Sequence, residues 1–151
     1  MMGAARHGMM ALALLGLLGA CGGGSADQGA FLTEAAAAPD AVTTDSGLVF
    51  RTLRPGDGPS PSAADTVKVH YHGTLGNGTV FDSSVDRGEP AVFPLQGVIP
   101  CWTEALQRMS VGEKALIHCP ASIAYGDRGA GALIQPGAAL AFEVELLGIV
   151  P

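Results

Sequence analysis

The stretch of sequence that decides the fold is residues 67–75, VKVHYHGTL. Its apolar residues alternate with Lys68, His70 and His72, which is the two-residue period of a strand with one buried face. The glycine-rich turn signal GNG follows at residues 76–78, where a hairpin reverses the chain. These residues therefore predict a half-buried strand that leads into a hairpin.

Further along the chain, one short helix is predicted around Trp102. Trp102, Ala105, Leu106 and Met109 have the i, i+3, i+4, i+7 spacing of a helix with one apolar face. Alternating or continuous apolar runs predict additional strands at residues 48–53, 115–119 and 140–146. Strands with a single helix predict an α+β domain built on an antiparallel sheet.

The composition excludes some classes of function. The chain has 151 residues, 15% of them charged, and a formal net charge of −6. No cluster of Lys and Arg is visible, so nucleic acid is not expected as a partner. With 22 Gly and 10 Pro, turns should be frequent, which favours a β-rich domain over a helical bundle.

The N-terminal residues have the pattern of a secretory signal. A short apolar run over residues 9–18 is preceded by Arg6 and His7 and is too short to span a membrane. Leu-Gly-Ala-Cys at residues 18–21 resembles the bacterial lipobox, although an ordinary cleaved signal with an incidental cysteine is the alternative. We predict a signal peptide over residues 1–20 and lipidation at Cys21.

This pattern also predicts the location and the domain organisation. We expect a lipid-anchored protein of the bacterial cell envelope, with its domain facing the periplasm and its anchor in the outer membrane. Residues 21–45 are mostly small and polar and are predicted to form a flexible tether. The folded domain is predicted over residues 46–151.

Six sequence blocks in order resemble the successive signatures of the FKBP family of peptidyl-prolyl cis–trans isomerases. They cover roughly residues 46–150, and together they are far more specific than any one of them. The blocks are VKVHYHGTL (67–75), FDSS (81–84), RGEP (87–90), VIPCW (98–102), AYG (124–126) and FEVEL (142–146).

The resemblance implies a bent antiparallel β-sheet wrapped around one short α-helix, with an apolar pocket between them. It implies catalytic roles for Tyr71, Phe81, Asp82, Tyr125 and Phe142. It implies substrate-binding roles for Arg87, Phe93, Val98, Ile99, Trp102 and Ile134. Trp102 would form the pocket floor, and Ile99 N–H and the Tyr125 hydroxyl would donate to peptide carbonyls. Taken singly, most of these aromatic residues would be interpreted as core.

The function implied is isomerisation of X–Pro bonds in envelope proteins, without a cofactor or metal. The alternative is a holdase chaperone that binds peptides in the same pocket with little turnover. Partners implied are proline-containing polypeptides, with the family's macrolide inhibitors as candidate ligands and the membrane reached through a lipid anchor. We expect a monomer, because no added flap or dimerisation segment is recognisable.

Two pairs of residues leave alternatives open. Cys101 and Cys119 are interpreted as a disulfide in preference to two free buried thiols, because they form an even pair in an oxidising compartment and have no Cys-x-x-Cys spacing. The family resemblance makes the bridge possible. His70 and His72 share a strand face, and solvent-facing histidines are favoured over a metal site because no third ligand is predictable.

The chain departs from the family at the rim of the pocket. Cys101 stands where many members have Gly, Gln135 replaces a common Pro, and Ala91 replaces an aromatic residue of some members. The loop over residues 129–133 is small and flexible. These departures affect the expected substrate preference and macrolide affinity and leave the pocket in place.

Overall fold

The computed structural model describes the backbone of residues 25–151 and the side chains from residue 28 onward. The predicted signal peptide and Cys21 lie outside the described residues. Within them, three α-helices are formed: α1 (Ser25–Ala36), α2 (Ser84–Arg87) and α3 (Pro100–Arg108). Seven strands are formed: β1 (Val42–Thr43), β2 (Val49–Arg54), β3 (Thr66–Leu75), β4 (Val80–Ser83), β5 (Ala91–Pro94), β6 (Lys114–Cys119) and β7 (Leu140–Val150).

The strands form one antiparallel sheet in the order β1-β2-β6-β7-β3-β4. Strand β3 is central and pairs with β7 along its whole length, from Thr66↔Val150 to Leu75↔Leu140. On its other side, β3 pairs first with β5 and then with β4. The predicted α+β class with an antiparallel sheet is confirmed.

Helix α3 covers one face of this sheet, as the apolar spacing predicted. It begins at Pro100, which suits the first helical turn because proline has no N–H to leave unpaired there. Its buried residues are Cys101, Trp102, Ala105 and Leu106. They pack against the inward-facing residues of β3 and β7 in one hydrophobic core, and burial of this apolar surface is the main stabilising contribution to the fold.

The segment before the domain differs from the sequence prediction. A flexible tether was expected over residues 21–45, yet the structure forms α1 and the short strand β1 there. The Phe31 ring packs edge-on against His118 of β6 at a centroid distance of 5.0 Å. Contacts with the sheet thus supply the stability that a short isolated helix lacks.

The histidine pair also differs from expectation. His70 and His72 are half-buried rather than fully solvent-facing. Their Nδ1 atoms lie 2.9 Å from the hydroxyls of Ser84 and Ser83, respectively. The reason is that β4 pairs with β3 and places these two serines beside the histidines.

The structure joins Cys101 and Cys119 in a disulfide. It connects the first turn of α3 to the last residue of β6, and both cysteines are fully buried. Among residues 25–151, no helix has the length and apolar character needed to cross a membrane.

Candidate functional site

An open pocket of about 400 Å³ lies between α3, β3, β4 and the loop before β7. Ten residues line it, and most are aromatic or aliphatic. They are Tyr71, Phe81, Asp82, Phe93, Gly97, Val98, Ile99, Trp102, Tyr125 and Phe142. Apolar walls with a few polar groups are typical of a site that binds a small molecule or a peptide side chain.

The indole of Trp102 forms the floor of this pocket. Three aromatic rings meet it edge-on: Tyr71 at 5.3 Å, Phe93 at 5.5 Å and Phe142 at 5.3 Å between centroids. Such T-shaped pairs are favourable because the positive edge of one ring faces the negative face of the other. They hold the indole in one orientation and leave it only 4% exposed.

The indole N–H of Trp102 has no hydrogen-bond partner within the described part of the chain. A buried donor without a partner costs about 1–3 kcal/mol. Trp102 is therefore placed at some cost in stability. The cost is consistent with a residue kept for the wide, flat apolar surface that it gives the pocket.

Phe81 and Phe142 form one wall of the pocket, with their rings 5.5 Å apart and edge-on. Gly73 of β3 makes room for both rings. A Cβ added at this glycine would lie 2.7 Å from Phe81 Cζ and 3.1 Å from Phe142 Cε1. Gly73 was missed by the sequence reasoning, although a glycine inside a strand is itself a signal of close packing.

A carboxylate stands at the polar edge of the pocket. Asp82 accepts a hydrogen bond from the Tyr71 hydroxyl at 2.5 Å and another from Arg87 Nη1 at 2.5 Å. Arg87 Nη2 also donates to the Tyr71 oxygen at 3.3 Å. The three side chains fix one another's orientation, as charge-assisted hydrogen bonds do.

The pKa values of this trio follow from its geometry. Burial raises the pKa of Tyr71, and the hydrogen bond to Asp82 raises it further. Partial burial alone would raise the pKa of Asp82, but the hydrogen bonds from Tyr71 and Arg87 outweigh it and lower that pKa. Asp82 is therefore a carboxylate, and Tyr71 a neutral phenol, at neutral pH.

The serines after Asp82 hold the backbone around this trio. Ser84 Oγ accepts from the Tyr71 N–H at 2.8 Å in a buried position. Ser83 caps α2 by accepting from the Asp86 N–H at 3.1 Å. In the sequence, Ser83 and Ser84 were recognised only as part of a family block. Their hydrogen bonds to the backbone became visible only in the structure, where β4 pairs with β3.

Two candidate donors lie at the mouth of the pocket. Ile99 precedes α3 in an extended conformation, and its carbonyl accepts from the N–H groups of Trp102 and Thr103. Tyr125 lines the pocket and is 38% exposed. The disulfide joins the two segments that carry these residues, since Cys101 lies two residues after Ile99 and Cys119 lies six residues before Tyr125.

The structure brings together nine of the predicted site residues as lining of one pocket. Arg87 lies beside them through its contacts with Asp82 and Tyr71. Ile134 is different: it is buried in the hydrophobic core and does not line the pocket. Gly97 lines the pocket and was not predicted.

Among the side chains that the structure describes, residues 28–151, no group of three or more His, Cys, Asp or Glu lies close enough to hold a metal ion. For chemistry, the site provides aromatic walls, the Asp82 carboxylate and candidate hydrogen-bond donors at Ile99 and Tyr125.

Comparison with known proteins gives a consistent result. A family model described as FKBP-type peptidyl-prolyl cis-trans isomerase matches residues 58–147. The FKBP-type 22 kDa peptidyl-prolyl cis-trans isomerase of Escherichia coli (strain K12) is 54% identical over 120 residues, which cover 80% of this chain and 58% of that protein. The outer membrane protein MIP of Legionella longbeachae is 43% identical over 120 residues, covering 80% of this chain and 52% of that protein.

The fold is also similar to a solved structure, that of FkpA from Escherichia coli. The two share 40% sequence identity with a TM-score of 0.82, and the match covers 85% of this chain and 60% of that one. The chain thus spans between half and two thirds of the length of these relatives. The family match contains β3, β4, β5, β6, most of β7, α3 and the pocket residues.

Proposed function

The chain belongs to the FKBP-type peptidyl-prolyl cis–trans isomerase family, and on that premise we propose that it accelerates rotation about X–Pro bonds. The substrates are proline-containing polypeptides. The observation that carries this proposal is an open aromatic cavity that Trp102, Ile99 and Tyr125 all line. If Trp102 were enclosed in solid packing, no proline could reach it.

The chemistry requires only that the pocket prefer the twisted amide. Resonance holds the peptide bond planar with a barrier of about 18–20 kcal/mol. In the rotated transition state this resonance is lost, so the C–N bond is less polar than in the planar form. Water stabilises the polar planar form, and a dry aromatic pocket does not. The pocket therefore binds the transition state more tightly than the ground state, which is the condition for catalysis.

The polar groups orient the substrate in this mechanism. The proline ring lies on the Trp102 indole, between the walls that contain Phe81, Phe142 and Phe93. The Ile99 N–H and the Tyr125 hydroxyl donate to carbonyls that flank the proline, which restricts the peptide to one orientation. Asp82, held by Tyr71 and Arg87, supplies a fixed negative charge beside the distorted amide.

A protease-coupled assay with a proline tetrapeptide tests the proposal. We expect accelerated cis-to-trans conversion by the wild-type protein. We expect the rate to fall about tenfold or more in the double variant Tyr125→Phe/Asp82→Val. Ser122→Ala, an exposed neighbour of Tyr125, is the matched control and should retain full activity. Absence of acceleration by well-folded wild-type protein rejects the enzyme and leaves a peptide-binding holdase.

Binding can be measured separately from turnover. Trp102 is the only tryptophan of the chain, and it forms the floor of the pocket, so its fluorescence reports occupancy. We expect a change in emission when a proline peptide or a family macrolide is added. A saturable change without catalysis identifies a binding module. No change with either ligand argues against any use of the pocket.

For location, the proposal is a lipid-anchored envelope protein. The lipobox pattern at residues 18–21 supports it, as does a disulfide of the kind that persists in oxidising compartments. One relative carries the name outer membrane protein MIP. In a bacterial host, the Cys21→Ser variant should leave the membrane fraction. If that variant still fractionates with the membrane, lipidation at Cys21 is not what anchors the protein.

A further inference from the structure

A second and larger cavity, of about 620 Å³, lies beside the proline pocket. It is formed by α1, by the turn between β3 and β4 and by the loop before β7. We name it the α1 groove and define it by the six residues Gln28, Phe31, Glu34, Leu75, Leu133 and Gln135. The two cavities share no lining residue.

The docking of α1 creates this groove. Phe31 packs on His118 of β6, and Gln28 Oε1 accepts a hydrogen bond from the Ala139 N–H at 2.6 Å. A Cβ built on Gly76 in the β3–β4 turn would lie only 3.6 Å from the Phe31 ring. The helix is therefore held at both the loop and the turn, and the groove has fixed walls.

The groove continues the surface that carries the proline pocket. Tyr71, Gly73 and Leu75 project from the same face of β3, because side chains alternate along a strand. Gly73 lies under the Phe81 and Phe142 rings of the pocket wall, and Leu75 lines the groove. Two residues along a strand span about 7 Å, so the two sites are close neighbours.

The loop before β7 connects the two sites from the other side. Tyr125 lies at the mouth of the proline pocket, and Leu133 and Gln135 line the groove. The Gly137 N–H donates to the Gly126 carbonyl at 2.9 Å, which closes this loop into a compact unit. The same loop therefore contributes lining residues to both cavities.

The chemistry of the groove suits an extended polypeptide. The carboxamide of Gln135 can both donate to and accept from backbone amides. The side-chain oxygens of Gln28 and Asn77 accept from the N–H groups of Ala139 and Thr79, which leaves their NH₂ groups to donate. Leu75 and Leu133 offer apolar surface for side chains, and Leu133 is 49% exposed. Glu34 is the charged residue among the lining residues, so a basic side chain is favoured opposite it.

We propose that the α1 groove binds the client chain that flanks the proline held in the pocket. The inference rests on the proposed isomerase function and names the part of the substrate that such a site would recognise. At about 3.3 Å per extended residue, the bound segment begins at least two residues from the proline. A tetrapeptide is too short to fill the groove, whereas an unfolded protein reaches it.

The test compares a short and a long substrate. The groove variant is Glu34→Arg/Leu133→Ser, which changes two exposed side chains outside the proline pocket. We expect its kcat/KM for a proline tetrapeptide to stay within about twofold of wild type. We expect its kcat/KM to fall at least about fivefold, through KM, for an unfolded protein whose refolding is limited by proline isomerisation.

The matched control is Asp57→Arg/Leu53→Ser, which makes the same kinds of change on an exposed surface that lines neither cavity. It should match wild type on both substrates. If the groove variant also has the wild-type kcat/KM on both substrates, the proposal is overturned. Wild-type protein that does not accelerate even the tetrapeptide rejects the isomerase function instead.

If the wild-type protein has no isomerase activity, binding experiments still test the groove. The anisotropy of a labelled, permanently unfolded polypeptide should show weaker binding to the groove variant than to wild type and control. A photo-cross-linking residue placed at Ala132, which is exposed on the groove, identifies the occupant. Cross-links to the polypeptide support the proposal. Cross-links only to residues 1–24 of this chain, or to a second copy, overturn it.

Discussion

At the scale of single residues, Gly73 shows how the absence of a side chain shapes the pocket. Its missing Cβ is the space into which the Phe81 and Phe142 rings fit. In Gly73→Ala, the new methyl group must displace the Phe81 ring, which is only half-buried and can move into the cavity. We expect a loss of stability of about 1–3 kcal/mol from overpacking, and a rate on a proline tetrapeptide reduced about tenfold.

The control for this variant is Gly148→Ala, which adds the same methyl group to another strand glycine. A Cβ at Gly148 meets no heavy atom within 4 Å, so activity should be unchanged. Tetrapeptide kinetics and urea unfolding of both variants provide the measurements. Equal activity of Gly73→Ala and wild type would show that the position of the Phe81 ring does not matter for turnover.

The sequence could identify the residues of the site that act through large side chains. Trp102, Phe81 and Tyr125 belong to blocks with a recognisable order, and they line the pocket. Gly73 and Gly97 contribute to the pocket by having no side chain, so the sequence offers no chemical group by which to identify them as site residues. Ile134 was placed in the site by the family resemblance alone. No apolar period in its loop predicts that it is buried in the core.

At the scale of elements, the disulfide connects the two segments that carry the rims of the pocket. Cys101 lies in the first turn of α3, next to Trp102, and Cys119 ends β6 just before the segment leading to Tyr125. The bridge closes a loop with a sequence separation of 18. A cross-link of that span stabilises a protein by about 3 kcal/mol, because it restricts the unfolded chain.

We therefore predict that Cys101→Ala/Cys119→Ala unfolds at a lower urea concentration than wild type, with about 3 kcal/mol less stability. We also expect a higher KM for proline peptides at a temperature where the variant is fully folded. The reason is that the covalent link between the segments that contain Ile99 and Tyr125 is lost. Trp102 fluorescence and peptide kinetics measure the two effects. A lower midpoint with unchanged KM would limit the bridge to a stabilising role.

Helix α1 is the element that sequence patterning predicted wrongly. It contains Gly29 and has no continuous apolar stripe, so the sequence pattern does not distinguish it from a tether. Its stability comes from partners distant in sequence, chiefly Phe31 on His118 and Gln28 on Ala139. Such contacts between distant segments become visible only when the whole chain is folded.

The contact with α1 makes stability depend on pH. Burial, with a smaller effect of the nearby Arg51 charge, lowers the pKa of His118. In the unfolded chain His118 binds a proton near pH 6.5, whereas the folded protein binds it only at lower pH. Acid therefore stabilises the unfolded state, and stability is lost as the pH falls below about 6.5.

We predict that the free energy of unfolding declines between pH 7 and pH 5, and that His118→Phe removes part of this decline. Phenylalanine retains an aromatic ring against Phe31 and cannot be protonated. Urea unfolding at several pH values gives the slopes. Parallel slopes for wild type and His118→Phe would show that this histidine is not responsible.

At the scale of the whole molecule, the sheet and α3 could be predicted because their patterns are regular. Alternation over residues 67–75 and 140–146 defines the two central strands, which pair along the length of β3. On its other edge, β3 pairs partly with β5 and partly with β4. No regular alternation in the sequence predicts this division, because it depends on the path of the chain after α2.

The pocket and the hydrophobic core share residues, since Trp102, Tyr71 of β3 and Phe142 of β7 pack on one another and belong to both. A ligand on Trp102 should therefore stabilise the entire domain rather than one loop. At a concentration of 100 times its Kd, a family macrolide that binds only the folded state adds about 2.7 kcal/mol to the free energy of unfolding. We expect Trp102 fluorescence and far-ultraviolet circular dichroism to shift together to the same higher urea midpoint, because the pocket opens only when the sheet does. A fluorescence transition that precedes the loss of sheet structure would mean that the pocket unfolds locally, and that its aromatic walls contribute little to the core.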